Sequence, residues 1–187
     1  MGTTREDVVI VGGGLAGLSL AMRLAQTGRR RVRVVERRTQ YTEDRTFSAF
    51  HTGEDHLFTD CVAHRWDRWR VQDGARALER HAPARAYETI FGSAVYEKAQ
   101  AVLAASPTTT LELGVGVKAL VPRGEGTDVL LDDGRTLLAR DVIDARPAPL
   151  EETPETPRIR APLEGGVGGK RAAARRGREA HGRTTGT

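Results

Sequence analysis

Four residues stand out for a chemical role: the glycines of Gly12-x-Gly14-x-x-Gly17 and the carboxylate of Glu36. Glycines at this spacing suit a turn between a strand and a helix. The first permits the tight turn, the second lets the backbone approach a pyrophosphate, and the third lets helix and strand pack closely. A helix opening there offers unpaired N–H groups and a positive dipole end to phosphates. Glu36 follows Gly17 by nineteen residues, where a carboxylate accepts ribose hydroxyls. It disfavours a 2′-phosphate, so FAD or NAD fits better than NADP. Leu15 and Ala16 between the glycines, and Arg37 after the carboxylate, complete the residues expected to line such a cofactor.

Other reactive side chains have plainer readings. His51, His56, His64 and His81 lack metal-ligand spacing, and no metal site is expected. Asp55, Asp60 and Asp67 read as ordinary loop acids. Trp66 and Trp69 fit either the lining of an apolar site or simple packing at strand spacing. Cys61, the single cysteine, excludes an internal disulfide and reads as a small buried hydrophobe.

The elements around the glycines agree with the motif. Asp7-Val-Val-Ile-Val11 is a short apolar run, as for a strand buried on both faces. Leu18, Ala21, Met22 and Ala25 recur at helical spacing, and Gly28 supplies the stop. Residues 31–36 read as the second strand, which completes a βαβ unit. Residues 37–89 are irregular. Ser93 caps a predicted helix through Tyr96, Ala99 and Leu103, ended by Pro107. Strands are predicted over residues 111–121 and 127–131. Asp132-Asp133-Gly134 turns the chain into a strand over 136–139, and a last short strand covers 141–145. The expected architecture is α/β: a Rossmann-like FAD/NAD(P)-binding fold with a β-meander. Residues 1–146 form the cofactor domain, and residues 45–90 belong to an incomplete second, substrate domain.

Composition bounds the remainder. The chain has 187 residues, 39% hydrophobic and 29% charged, with a net charge of +4. The last twenty residues hold six Lys/Arg and one acid, so this tail alone carries +5. From residue 147 the sequence is rich in Pro and Glu, then in Arg and Gly. Past residue 167 it lacks every large apolar residue, so disorder is predicted over 147–187. Such a tail suits phosphate contacts with nucleic acid but has no aromatic rings for base stacking. Its composition is also what out-of-frame reading of a GC-rich gene produces, the reading favoured here. The longest uncharged stretch, residues 8–22, is shorter than a membrane helix needs and follows Glu6 and Asp7, which argues against secretion. A cytoplasmic protein is expected.

The chain resembles the bacterial-type lycopene β-cyclases over about residues 7–146. Residues 7–21 carry the glycine motif, which many flavoproteins share. Arg45-Thr-Phe-Ser-Ala-Phe-His51 is similar to the family's HTWSFH segment, and Val62-Ala-His-Arg-Trp-Asp-Arg-Trp69 to its HRW strand. Arg85-Ala-Tyr-Glu-Thr-Ile90 resembles the Y-x-x-I approach to a helix, and Val142-Ile-Asp-Ala-Arg146 resembles VIDARG. The resemblance implies FAD, reduced with NAD(P)H as donor, and a polyene substrate, lycopene, taken from a membrane. It also implies a location at that membrane's cytoplasmic face. The implied reaction is redox-neutral: a carboxylic acid protonates the end group, a carbocation closes to a β-ionone ring, and a proton leaves. The family's catalytic carboxylates and its later Gly-Asp flavin segment have no matching positions, and Pro147 stands where the family has Gly. Catalytic residues are therefore unassigned, and the chain reads as a truncated cyclase, inactive by itself. The enzyme alternative is a fragment of another FAD-dependent oxidoreductase or monooxygenase; the binding alternative is a nucleotide-binding module with a basic arm.

Overall fold

A computed structural model describes residues 4–42 and 45–147. These lie in the first of two compact units, Met1–Ala148. Apart from Pro147, the predicted disordered tail lies outside the described residues.

The molecule is a Rossmann-like α/β fold built on a mixed sheet. Strand β1 (Thr4–Val11) leads through the glycine turn into helix α1 (Leu15–Thr27) and back to β2 (Val32–Glu36). A smaller region follows: β3 (Thr46–Phe50), β4 (Val62–Trp66), β5 (Arg68–Asp73), β6 (Arg76–His81) and β7 (Tyr87–Phe91). Helix α2 (Gly92–Ala104) returns the chain to β8 (Thr109–Leu113). A meander of β9 (Val117–Arg123), β10 (Gly126–Leu131) and β11 (Thr136–Asp144) completes it. The main sheet has the order β8-β2-β1-β11-β10-β9. Its first four strands run parallel, and β10 pairs antiparallel with both β11 and β9, so it alone runs against the others. The smaller region forms a three-stranded sheet, β3-β7-β4, and the separate β5–β6 hairpin.

Alternation along β1 divides the core, because successive side chains leave opposite faces of a strand. Val8 and Ile10, with Val32 and Val34, pack on Leu18, Ala21 and Met22 of α1 and on Val95, Tyr96, Ala99 and Leu103 of α2. Val9, Val11 and Val35 face the other way, onto Val129, Leu131, Leu137 and Ala139 of the meander. Both faces of β1 are thus covered, which accounts for its unbroken apolar run. Gly28 ends α1 in the left-handed conformation, φ 59°, as its position predicts.

Four local expectations are corrected. The single strand over 111–121 is two strands, β8 and β9, broken at Gly114, whose φ of 78° turns the chain away from the sheet edge. The two strands over 136–139 and 141–145 are one, because β11 bonds β10 with its first half and β1 along most of its length. Ser93 does not cap α2; the helix begins at Gly92, and Phe91 is the capping position. Cys61 is half-buried rather than buried.

Candidate functional site

The carboxyl ends of β1, β2 and β11 converge on one cleft. Gly12 donates its N–H to the Val35 carbonyl at 2.9 Å, and Ala145 donates to the Val11 carbonyl at 2.8 Å. These bonds hold the three strand ends side by side where α1 departs, the place an open α/β sheet reserves for ligands. The cleft holds about 690 Å³, within the range of cofactor sites. Gly12, Gly14, Leu15, Ala16, Glu36 and Arg37 all line it. Gly17, the seventh residue expected there, does not; it sits where α1 crosses β1.

Each glycine meets a distinct constraint. Gly12 has φ 103°, a conformation that side chains resist, and lies against Ala145 and Arg146. A Cβ at Gly17 would stand 2.0 Å from the Gly12 carbonyl oxygen, so only glycine permits this helix to cross its strand so closely. A Cβ at Gly14 would meet nothing within 4 Å. Open space at Gly14 beside crowding at Gly17 is the relief expected of a backbone cradle for a phosphate. No side chain caps α1, and no acid lies in its first turn, so its first N–H groups are left for a ligand.

The charge of the cleft suits a pyrophosphate. Arg37, Arg38, Arg45 and Arg146 line it, against Glu36 and Asp132. Arg37 makes no ion pair with any described residue and is exposed. Arg146 is fixed by Asp144, which accepts from its Nε at 2.8 Å and its Nη2 at 2.6 Å.

Glu36 is placed in the cleft wall as expected, but its carboxylate is already engaged. It accepts from the Gly13 N–H at 2.7 Å, from the Arg38 N–H at 2.9 Å and from the Arg38 guanidinium. Burial pushes its pKa up, yet these bonds outweigh burial and hold it below the usual carboxylate range. Arg38 had no role in the sequence reading. It donates to the Gly13 carbonyl at 3.0 Å and to Tyr96 Oη at 3.3 Å, and its guanidinium lies 4.8 Å from the Tyr41 ring centre. Tyr41 stacks on Tyr96 at 4.2 Å and donates its own hydroxyl to the Gly13 carbonyl. Burial raises the Tyr41 pKa, and nearby Glu36 adds to it, so the phenol stays protonated. Arg38 offered one sequence signal, a second arginine just past the acidic strand end.

An aromatic chain runs from this region across the outer face of the β3-β7-β4 sheet. The Gly92 N–H bonds the Arg45 carbonyl, so Phe91 lies beside a cleft residue. His64 lies 6.1 Å from Phe91 and 5.5 Å from Trp66; Trp66 lies 6.2 Å from Tyr87. Phe50 then bridges Tyr87, at 5.1 Å, to Trp69, at 5.3 Å. Trp66 and Trp69 therefore share one surface, and both Phe50 and Trp66 are exposed. On the opposite face, the buried Glu88 carboxylate collects Arg65, His51 and His56. Burial raises its pKa, but the His56 hydrogen bond and these charges hold it below the usual range. His81 pairs with Asp67 and Lys98 with Asp60, while Asp55 is exposed. No cluster able to hold a metal occurs among the described residues.

Solved structures share this fold at low identity. PqsL from Pseudomonas aeruginosa, a probable FAD-dependent monooxygenase, superposes with a TM-score of 0.58 at 18% identity, over 74% of this chain and 42% of its own. The p-nitrophenol 4-monooxygenase PnpA from Pseudomonas putida gives 0.62 at 17%, over 76% and 41%. A geranylgeranyl bacteriochlorophyll reductase-like protein from Thermoplasma acidophilum gives 0.56 at 15%, over 77% and 40%. The chain spans about two fifths of the length of these structures. The family model for the lycopene cyclase protein matches residues 7–164, eighteen residues further than the motif resemblance that ended at Arg146. By that match, over more than half its length, the chain belongs to the lycopene cyclase family.

Proposed function

We propose that the cleft binds FAD and that the chain is the flavin-binding portion of an enzyme closing the end groups of lycopene to β-ionone rings. The family match carries this reading. The cleft supports the cofactor: an open backbone at Gly14, an uncapped helix start and a lining with more arginines than acids. In the bound state the N–H groups that open α1 and the exposed Arg37 take the pyrophosphate. Glu36 takes the adenosine ribose once Arg38 has turned from it. Reduced FAD, with NAD(P)H as its donor, would supply negative charge close to the developing carbocation. The aromatic chain from Phe91 to Trp69 offers this chain's own contribution, an apolar track for a polyene whose ring faces favour a cation. The protonating carboxylic acid is not assigned to any residue here, and the chain alone is proposed to be inactive.

Two measurements test this. Titrating the purified chain with FAD is expected to quench flavin fluorescence saturably; no quenching overturns the cofactor. In a lycopene-accumulating bacterium, the chain alone should leave lycopene unchanged. The same coding region completed with a family C-terminal portion should yield cyclic carotenoid. Lycopene unchanged with the completed gene overturns the cyclase reading and favours an oxidoreductase of another reaction class.

A further inference from the structure

We propose that Tyr41 is a positioning residue for the pyrophosphate: its hydroxyl holds the Gly13 carbonyl back and so turns the Gly14 N–H toward the ligand. This rests on the cofactor reading above and adds a residue that acts through the backbone of the glycine turn. Gly13 is the third glycine of the run Gly12-Gly-Gly14 and falls outside the spacing that a dinucleotide turn requires. Both of its peptide groups are gripped. Glu36 accepts from the Gly13 N–H at 2.7 Å, and the Gly13 carbonyl accepts from Tyr41 Oη and from Arg38 Nη2, each at 3.0 Å. The C=O and N–H of a trans peptide point in opposite directions, so a carbonyl aimed at Tyr41 leaves the Gly14 N–H aimed away from it. That N–H donates to no described residue, and Gly14 lines the cleft while Gly13 does not. The same peptide turned over would present a carbonyl oxygen to the phosphates, setting a lone pair against negative charge.

Tyr41 rather than Arg38 carries this role when ligand is bound. Arg38 Nη2 is shared between the Gly13 carbonyl and the Glu36 carboxylate, the latter at 3.3 Å, and it must leave Glu36 to free that carboxylate for a ribose. The Tyr41 ring instead stacks on the buried Tyr96 of α2, with centres 4.2 Å apart and planes within 11°. That stack keeps the hydroxyl in place when Arg38 moves. Glycine at position 13 makes the contact possible, because a Cβ there would stand 2.3 Å from Tyr41 Oη.

Ligands with and without phosphates separate positioning from mere packing. FAD bound to the full chain is displaced with ADP and, separately, with adenosine, and the recovery of flavin fluorescence gives each affinity. Adenosine presents the ribose but no phosphate, so a change confined to FAD and ADP belongs to the pyrophosphate contact. Tyr41→Phe keeps the stacked ring and deletes only the hydroxyl. It should weaken FAD and ADP about five- to tenfold and leave adenosine within about twofold. The ligand-free melt should stay close to the parent's, since Arg38 still holds the carbonyl in the unliganded chain. Gly13→Ala is the second variant. It should weaken ADP in the parent background and weaken it less in Tyr41→Phe, where the new methyl no longer meets the hydroxyl oxygen. Equal weakening of ADP and adenosine in Tyr41→Phe would overturn the proposal, because it marks a general disturbance of the cleft. Unchanged ADP affinity in that variant, or purely additive losses for the pair, would overturn it too, while FAD binding by the parent left the cofactor reading standing. A parent that fails to bind FAD would overturn the cofactor reading itself, and this proposal with it.

Discussion

At the scale of single residues, Gly17 and Gly14 separate folding from binding. The Gly12 carbonyl facing Gly17 is backbone and cannot swing aside, so Gly17→Ala must push α1 off β1. Overpacking of this kind costs about 1–3 kcal/mol, and a fall in Tm of several degrees is expected in a thermal melt without ligand. Gly14→Ala adds its methyl to open space at φ −81°, a conformation alanine accepts. Its stability should stay within about 1 kcal/mol of the parent while FAD affinity falls by about tenfold or more, because the methyl occupies the line of approach. Equal losses of stability in the two variants would break the assignment of distinct roles. Glu36 adds a pH dependence. Its folded-state pKa lies below the ordinary 4.5, so its stabilising effect is fully present above 4.5 and is lost as pH falls through the lower folded value. Glu36→Gln should therefore be less stable than the parent at pH 7, with the gap closing as the medium is acidified below 4.5. Urea midpoints at neutral and acid pH measure it; a gap independent of pH would mean that the charge on Glu36 contributes nothing.

At the scale of elements, one arginine ties the parallel strands together. Arg33 on β2 meets Glu6 on β1 at 2.8 Å and Glu112 on β8 at 3.0 Å. Glu6 is 6% exposed, so removing its partner leaves a carboxylate with little access to water. Arg33→Met should cost about 2–3 kcal/mol in urea unfolding, and adding Glu6→Gln should restore a good part of it. A purely additive pair would show that the bridge does not hold the strands. The same strands were the legible part of the chain. β1, α1 and β2 follow from an unbroken apolar run, a glycine turn and a helical stripe, all local signals whose packing partners lie close in sequence. What could not be read depended on distant partners. β11 looks like two strands because Arg140 and Asp141 interrupt its apolar pattern, yet its pairing with β1 carries the strand through them. The β5–β6 hairpin was missed although Asp73-Gly74 is a hairpin signal and Gly74 takes φ 53°. β5 alternates over Arg68-Trp69-Arg70-Val71-Gln72, but the run is short and its partner β6, Arg76-Ala-Leu-Glu-Arg-His81, shows no such pattern. In the site, the glycines and Glu36 were legible from spacing; Arg38, Tyr41 and Tyr96 were not, since only the fold brings Tyr96 of α2 to the end of β2.

At the scale of the whole molecule, the cleft draws on six separated pieces of chain. These are the glycine turn, the end of β2, Arg45 ahead of β3, the β8–β9 connection at Val115 and Gly116, the β10–β11 turn at Asp132, and Ala145 to Pro147 after β11. Backbone bonds already tie several of them: Val115 donates to the Glu36 carbonyl and Asp132 to the Gly116 carbonyl. A ligand held by all six must stabilise them jointly, because opening any one would forfeit part of the binding free energy. At a hundredfold excess over Kd, FAD should add about 2.7 kcal/mol to global stability. Hydrogen exchange should slow together over residues 11–17, 35–38, 45–46, 114–117, 131–133 and 144–146. The hairpin at residues 68–81 contributes nothing to the cleft, and its amides should exchange at the same rate with or without FAD. Protection limited to the glycine turn would mean that the ligand touches only the start of α1 and leaves the far wall unused. Protection reaching the hairpin would mean that the two regions move as one body, so that flavin binding and opening of the hairpin are thermodynamically coupled. The expected outcome, a protected cleft beside an unchanged hairpin, makes the cofactor site and the hairpin independent parts of one chain.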